Sequence, residues 1–342
     1  MRFAGLVLGA GLVLQGSTLG AMPPQAPVVR RPPQAKGVQA PSSDDSDVAA
    51  PGSAASTDKV QTIKVQTRLV NVAVNVVDEH GAPVGGLVQS DFEIFEDEKP
   101  QKIAIFEKES STPLTIVLAI DASESVFGDE RLERNAAKHF VNALLRDQDE
   151  LDLMDFADTV REVVSFTNDK KEIERGLGDL QHGDATALYN AIYLGSQRLA
   201  TMPESSGQRR VIMLITDGVD TVKGVEYPKA VEEAQRAGAM VYSIIIVPVE
   251  EDAGRNTGGE HALIQMANDT GGKYYYVEDP KDLDPAFAHV SDDLRTQYLL
   301  GYYAPQQGAD GSFRTIQVRL KDPALRAKYH LRYRTGYYAK TQ

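Results

Sequence analysis

The hydrophobic and polar residues follow two different periodic patterns along the chain. Over residues 70–76 apolar side chains stand at every second position, which is typical of a strand with one buried face. Further short strands are predicted at 84–87, 92–95 and 101–106, separated by turn-forming residues. The alternation predicts an antiparallel, sandwich-like segment over residues 61–110.

The same period of two returns after residue 296 without any helical pattern. Strands are predicted over 298–303, 313–320 and 329–338, with Asp310 and Gly311 as a hairpin turn between the first two. These strands do not readily extend an α/β domain, because parallel neighbours need crossover connections. We expect residues 296–342 to pack with residues 61–110, which are too few for a sandwich alone.

Between residues 111 and 295 the hydrophobic pattern changes. Runs that are apolar at nearly every position, at 114–120, 211–215 and 241–247, are typical of parallel strands buried on both faces. Segments with helical spacing alternate with these runs, and the last of them covers 283–294. The pattern predicts an α/β fold, a doubly wound and mostly parallel sheet, inserted between the two parts of a β-sandwich-like module.

The first 60 residues show neither of these hydrophobic patterns. Residues 1–21 combine an early arginine, an apolar stretch and small residues, as a cleaved secretory signal peptide does. An uncleaved anchor is the alternative, but the apolar stretch is short and glycine-rich for a membrane span. Residues 22–60 are rich in Pro, Ala, Ser and Gln and predict a disordered linker. We expect an exported chain, periplasmic or extracellular, whose mature form has no transmembrane span.

Charge and composition exclude several functional classes. The formal net charge of −13 argues against a nucleic-acid partner and against docking on anionic lipid. Without cysteine, thiol catalysis, iron–sulfur clusters and cysteine-held zinc are excluded. The 6 histidines are scattered, and the sequence has no His-Glu-x-x-His motif, Gly-x-Ser-x-Gly elbow or phosphate-binding loop. We therefore assign no catalytic residues.

Oxygen-bearing side chains follow the predicted parallel strands. Asp121, Ser123 and Ser125 follow the first apolar run at alternate positions, and Asp217 follows the second run after Thr216. Thr186 lies in a loop that opens a helix. Ligand sites of open α/β sheets lie beyond the carboxyl ends of the strands, and hard oxygen donors suit Mg²⁺ or Ca²⁺. Taken one by one, the alternative interpretation is a set of ordinary turns and helix caps. The joint arrangement favours a metal site.

These five residues carry a resemblance to a known family. The order Asp121-x-Ser123-x-Ser125, then Thr186, then Asp217 within Thr-Asp-Gly, resembles the metal-ion-dependent adhesion site of von Willebrand factor type A domains. The similarity covers about residues 111–295. The flanking segments, notably 78–87, 298–303 and 336–338, look like the bacterial exported group described as "VWFA-related".

The resemblance implies a role for each residue. Ser123 and Ser125 would bind the cation directly. Thr186, Asp121 and Asp217 would bind it directly or through water. The expected cation is Mg²⁺, with Ca²⁺ or Mn²⁺ as alternatives, and one coordination position would accept a carboxylate from a partner. A bound divalent cation would also reverse the local repulsion of an acidic ligand by this acidic chain.

The expected function is an exported, metal-dependent protein-binding module of the adhesion type, whose protein partner presents an acidic side chain. One alternative is a structural exported scaffold with a non-essential metal site. A metal-dependent hydrolase is a further alternative, but neither Glu124 nor His182 stands out as a general base.

Overall fold

The computed structural model describes residues 67–108, 112–123, 130–203, 208–247, 257–305 and 311–339. They belong to one compact unit that spans residues 62–342. The predicted signal peptide at 1–21 and the predicted linker at 22–60 lie outside the described residues, and so does Ser125. No helix in the described ranges is long and apolar enough to cross a membrane.

The described elements follow one another in three groups. The first group is β1 (Thr67–Val77), β2 (Phe92–Glu96), β3 (Lys99–Gln101) and β4 (Ile103–Glu107). The second is β5 (Leu114–Asp121), α1 (Glu130–Leu144), β6 (Glu150–Phe156), β7 (Val160–Thr167), α2 (Lys170–Gly176), α3 (Leu188–Thr201), β8 (Arg209–Thr216), α4 (Tyr227–Ala237), β9 (Ala239–Ile246), α5 (Thr257–Thr270), β10 (Tyr274–Val277) and α6 (Leu283–Arg295). The third is β11 (Tyr298–Pro305), β12 (Phe313–Leu320), α7 (Pro323–Lys328), β13 (His330–Arg332) and β14 (Gly336–Tyr338).

The second group forms the α/β domain. Its sheet, as far as the described residues show it, has the order β10-β9-β8-β5-β6-β7, with β7 antiparallel to β6 and the other neighbours parallel. Every residue of the central strand β5 is buried, which matches its mostly apolar sequence. One apolar core lies on each face of the sheet, so both faces are covered by helices. The predicted α/β fold class is confirmed.

The first and third groups form the second module, so the β-sandwich-like part of the predicted fold class is also confirmed. Within the described residues its two sheets have the orders β13-β1-β11-β4 and β14-β12-β2-β3. Strand β1 pairs antiparallel with β11 from Thr67 opposite Pro305 to Val74 opposite Tyr298. The alternating valines of β1 face a shared apolar core. Strands that precede the α/β domain in the sequence and strands that follow it both contribute to this core.

Three local predictions are wrong. Residues 84–87 form no strand; the backbone N–H of Leu87 is instead bonded to the Tyr298 hydroxyl at 3.1 Å. Residues 329–338 contain two short strands instead of one, and the helix α7 that precedes them was not predicted. Strands β11 and β12 lie in different sheets, so they do not form the predicted hairpin; Asp310 of the predicted turn lies outside the described residues.

Buried ion pairs hold the α/β domain together at its base and fix it to the sandwich. Asp149 Oδ2 lies 2.5 Å from Arg295 Nη2, and Asp149 Oδ1 accepts the backbone N–H of Leu114 at 2.8 Å. Asp293 Oδ2 accepts a hydrogen bond from Arg332 Nη2 at 2.8 Å, which joins α6 to β13 of the sandwich. We call Asp149–Arg295 and Asp293–Arg332 the interface ion pairs.

Candidate metal centre

Two parallel strands end side by side at the edge of the sheet where the site was predicted. Strand β5 ends at Asp121, and its neighbour β8 ends at Thr216, immediately before Asp217. The register pairs Ile120 with Ile215, so both strands reach this edge together. Apolar residues keep the two strands in the centre of the sheet. The polar residues that follow each run, Asp121 on one strand and Thr216 and Asp217 on the other, therefore emerge at the same edge.

The loop that carries Thr186 is bound to both strand ends. Gly183 forms a parallel bridge with Ser123, and its N–H donates to the carbonyl of Ala122 at 3.2 Å. The backbone N–H of Thr186 donates to Thr221 Oγ1 at 2.8 Å, and the N–H of Thr221 donates back to the carbonyl of Thr186 at 2.9 Å. These bonds bring Thr186 to the edge that Asp121 and Asp217 occupy.

Asp121 is the electrostatic centre of this arrangement, with 0% of its surface exposed. Its Oδ2 accepts the Thr216 hydroxyl at 2.6 Å and its Oδ1 accepts the N–H of Ser123 at 3.1 Å. Burial raises the pKa of Asp121, the hydrogen bonds from Thr216 and Ser123 lower it, and the nearby charge of Asp217 raises it; the balance of these effects is a pKa of about 6. Neutral donors thus offset the cost of this charge only in part.

Asp217 is held by the turn that follows β8. Its Oδ1 accepts the N–H of Val219 at 3.0 Å, and Gly218 takes the left-handed conformation with φ +86°. The turn packs closely on the start of α5, because a Cβ placed on Gly259 would lie 1.9 Å from the carbonyl oxygen of Gly218. The position of Asp217 therefore depends on how α5 begins.

The donor chemistry of the site fits a hard divalent cation. The carboxylates of Asp121 and Asp217 and the hydroxyls of Ser123 and Thr186 are buried at one edge, and all are oxygen donors. Among the described residues no three His, Asp or Glu side chains form a metal-binding group, so the set depends on hydroxyls. Such a set suits Mg²⁺ rather than a metal that prefers nitrogen or sulfur.

Four of the five predicted ligands are brought together. Asp121, Ser123, Thr186 and Asp217 lie at one edge of the sheet, connected by the bonds given above. Ser125 and Glu124 lie outside the described residues. His182 is exposed in the loop before Thr186. Metal binding by these residues stays a prediction.

Two positioning residues were not predicted. Thr216 donates directly to Asp121, and Thr221 holds the backbone of Thr186. Thr216 had a signal in the sequence, because it directly precedes Asp217 at the end of a buried strand. Thr221 had none, since its partner lies 35 residues away in a different loop.

Comparison with known proteins places this domain among relatives. The profile of the von Willebrand factor type A domain matches residues 115–289. A protein of Borreliella burgdorferi, described as uncharacterized, is 27% identical over 186 residues, which cover 48% of this chain and 54% of that protein. Human calcium-activated chloride channel regulator 4 is 28% identical over 171 residues, 48% of this chain and 17% of that protein. The chain thus spans about half, or less, of the length of these two relatives.

Among solved structures, von Willebrand factor type A from Catenulispora acidiphila is similar to the chain with a TM-score of 0.46. The sequence identity is 12%, and the match covers 82% of this chain and 75% of that chain.

Proposed function

The chain belongs to the von Willebrand factor type A domain family through residues 115–289, and from this premise we propose that it is a protein-binding module of the adhesion type that works with a divalent cation. The partner binds at the edge of the sheet where β5 and β8 end. It presents an acidic side chain there. The pattern of residues 1–21 supports placement in the periplasm or outside the cell.

One observation carries this proposal. Asp121 is a fully buried carboxylate whose pKa is raised by burial, and the described groups that act on it are two neutral donors and the like charge of Asp217. Two buried carboxylates whose charges repel each other are a cost that neutral donors offset only in part. A cation between them would offset the cost of both charges.

The residues of the chain divide the work of holding such a cation. Asp121 and Asp217 supply the negative charge, and the hydroxyls of Ser123 and Thr186 supply neutral oxygen donors. Ser125 joins them in the predicted set. When bound, Mg²⁺ would act as the electrophile that attracts a carboxylate from the partner. Thr216 and Thr221 keep Asp121 and Thr186 in place through their hydroxyls.

The proposal is tested by titrating Mg²⁺ into the chelator-treated full chain in a calorimeter. The wild type should bind one Mg²⁺ saturably, and Asp217→Asn should weaken binding by at least about tenfold, because one charged donor is lost. Asp147→Asn is the matched control: Asp147 is an exposed carboxylate in the turn before β6. Equal Mg²⁺ affinity in wild type and Asp217→Asn, or no binding by the wild type, contradicts the proposed site.

The partner chemistry needs a second measurement. A fluorescein-labelled peptide with one glutamate between glycines and serines should bind the full chain with Mg²⁺ and lose binding in chelator. The same peptide with glutamine in place of glutamate should not bind under either condition. Binding that does not depend on the cation or on the carboxylate argues against this mode of recognition.

A further inference from the structure

A small cavity lies between the α/β domain and the sandwich, at the edge of the central sheet opposite to the candidate metal centre. Strands β8 and β9 begin there, and β1 and β11 of the sandwich contribute to its wall. Its volume is about 40 Å³, whereas about 10–15 Å³ is enough for one water, so it has room for an ion of a few heavy atoms. The described residues that line it include Arg209, Arg210 and Arg334 and no aspartate or glutamate. We call this space the arginine cavity.

Two of these arginines are hydrogen-bonded to neutral oxygens. Arg209 Nε donates to Thr112 Oγ1 at 3.0 Å, and its Nη1 donates to Gln297 Oε1 at 2.8 Å. Arg210 Nη1 donates to the carbonyl of Ala237 at 2.9 Å. None of these acceptors carries a charge, so the bonds satisfy the donors but leave the positive charge of both guanidinium groups.

Arg334 is the arginine whose charge is compensated least. Its Nη2 donates to the carbonyl of Asn71 at 2.6 Å, but its Nε is buried and has no hydrogen-bond partner among the described residues. Burial lowers the pKa of Arg334. The described groups whose charges act on it are Tyr302, Arg68 and Tyr337, and none of them is a carboxylate. A buried cation without a counter-ion is costly, and an anion in the cavity would offset that cost.

The charge around the arginine cavity is positive, although the whole chain is acidic. Asp149, the carboxylate whose charge acts on Arg209, is already paired with Arg295. The adjoining segments 109–111 and 204–207 lie outside the described residues and contain one glutamate each. Two glutamates are too few to neutralise the three arginines that line the cavity, so an excess of positive charge remains there.

The lining also contains a hydrogen-bond acceptor that an anion must satisfy. Asn71 Oδ1 is buried and has no hydrogen-bond partner among the described residues. Because Arg334 is bonded to the carbonyl of Asn71, this acceptor and the unpartnered Nε belong to neighbouring residues. A hydrogen phosphate ion offers several acceptor oxygens and one O–H donor, whereas sulfate at neutral pH offers acceptors only. A water molecule would satisfy the same two atoms but would leave the charge of the arginines uncompensated.

We propose that the arginine cavity binds one phosphate ion, which accepts a hydrogen bond from Arg334 and donates one to Asn71. The planar donors of guanidinium groups match the oxygens of phosphate, which favours arginine for this anion. Arg334 and Asn71 belong to the sandwich and Arg209 begins β8, so the bound ion would connect the two modules. The inference is independent of the proposed function, because the cavity lies at the other edge of the sheet.

The test is a calorimetric titration of sodium phosphate into the full chain, with chelator present and with chloride keeping the ionic strength constant. The wild type should bind one phosphate saturably. Sulfate should bind at least about fivefold more weakly, because it has no proton to donate to Asn71. Glycerol phosphate should bind at least about tenfold more weakly, because a cavity of this size has no room for the ester group.

Three variants test the position of the site, each checked for folding by circular dichroism before titration. Arg334→Gln should weaken phosphate binding at least about tenfold, because it removes a charge and the unpartnered Nε. Ala73→Val keeps every charge but fills part of the cavity that Ala73 lines, and should weaken binding about fivefold. Arg326→Gln is the matched control: Arg326 is exposed on α7, and its loss should leave phosphate affinity unchanged.

The contrary outcomes are distinct. If the wild type shows no saturable phosphate binding, the cavity holds water only and the inference is overturned. Equal affinity for sulfate or for glycerol phosphate contradicts a free phosphate ion that donates to Asn71. Unchanged affinity in both Arg334→Gln and Ala73→Val means that phosphate binds elsewhere. Asp217→Asn should bind phosphate as the wild type does, so a failure of this inference is separate from a failure of the proposed metal site.

Discussion

Two regions of the α/β domain bury carboxylates, and they treat the charge in opposite ways. At the interface ion pairs each buried carboxylate meets an arginine: Asp149 meets Arg295 at 2.5 Å and Asp293 meets Arg332 at 2.8 Å. At the metal centre the equally buried Asp121 meets a hydroxyl, a backbone N–H and the like charge of Asp217.

The difference shows which buried carboxylate already has its counter-charge within the chain. An ion pair that is desolvated together with its partner is broken at high cost but needs nothing from outside. A buried carboxylate beside a second carboxylate is a cost that a cation from solution would remove. The contrast between Asp149 and Asp121 is thus the structural reason to expect metal dependence in one region and none in the other.

The largest expected effect comes from breaking the buried ion pair between Asp149 and Arg295. Asp149→Asn leaves the mostly buried Arg295 without its counter-charge and should lower the free energy of unfolding by about 3–5 kcal/mol. The loss should be the same with Mg²⁺ and with chelator, measured by urea denaturation. A loss that appears only in one of the two conditions would contradict the separation of the two regions.

The second largest effect concerns Asp121, which meets neutral donors and the like charge of Asp217. Asp121→Asn removes a charge that burial disfavours but also one hydrogen-bond acceptor, so in chelator its free energy of unfolding should lie within about 1 kcal/mol of wild type. With Mg²⁺ at 100 times its dissociation constant the wild type should gain about 2.7 kcal/mol, and the variant should gain nothing. Urea denaturation in both conditions measures the difference. An equal gain in the variant would falsify a role for Asp121 in cation binding.

Asp152 is a further buried carboxylate and sharpens the comparison, because it has an arginine partner but not all of its oxygens are hydrogen-bonded. Its Oδ2 lies 3.2 Å from Arg198 Nη2, while its buried Oδ1 has no hydrogen-bond partner among the residues that the structure describes. Burial and the charge of Glu162 raise the pKa of Asp152 to about 7, although Arg198 lowers it.

The sign of the resulting pH dependence follows from this raised pKa. Below pH 3.8, the ordinary pKa of an aspartate, the carboxyl is protonated in both the folded and the unfolded state; between there and about pH 7 it ionises mainly in the unfolded chain. The free energy of unfolding should therefore fall as pH rises through this window, by about 2 kcal/mol after allowing for water that reaches Arg198. Asp152→Asn should flatten the fall, and Asp147→Asn should not. Parallel pH curves for wild type and Asp152→Asn would contradict this origin.

The sequence shows the metal centre better than the interface ion pairs, for a physical reason. Asp121 and Asp217 each end a buried apolar run, and parallel strands bring such ends together at one edge. Asp293 and Arg332 lie 39 residues apart on a helix and in the sandwich, and no periodic pattern relates them. The fold class follows from the two hydrophobic patterns, alternation in the flanking segments and apolar runs with helical spacing in the central segment. The pairing of β12 with β2 instead of β11 depends on long-range packing that alternation does not encode.

The smallest expected effect tests whether the metal centre depends on its neighbouring helix. A Cβ at Gly259 would lie 1.9 Å from the carbonyl oxygen of Gly218, so Gly259→Ala must shift the turn that carries Asp217. We expect Mg²⁺ affinity to fall about fivefold, or about 1 kcal/mol. Gly272→Ala is the matched control, because its Cβ would lie 1.9 Å from the carbonyl oxygen of Val241, before β10 and away from Asp217. Both variants should lose stability, but only Gly259→Ala should lose cation affinity in calorimetry. If Gly272→Ala weakens Mg²⁺ binding equally, the turn at Gly218 is not what couples α5 to the site.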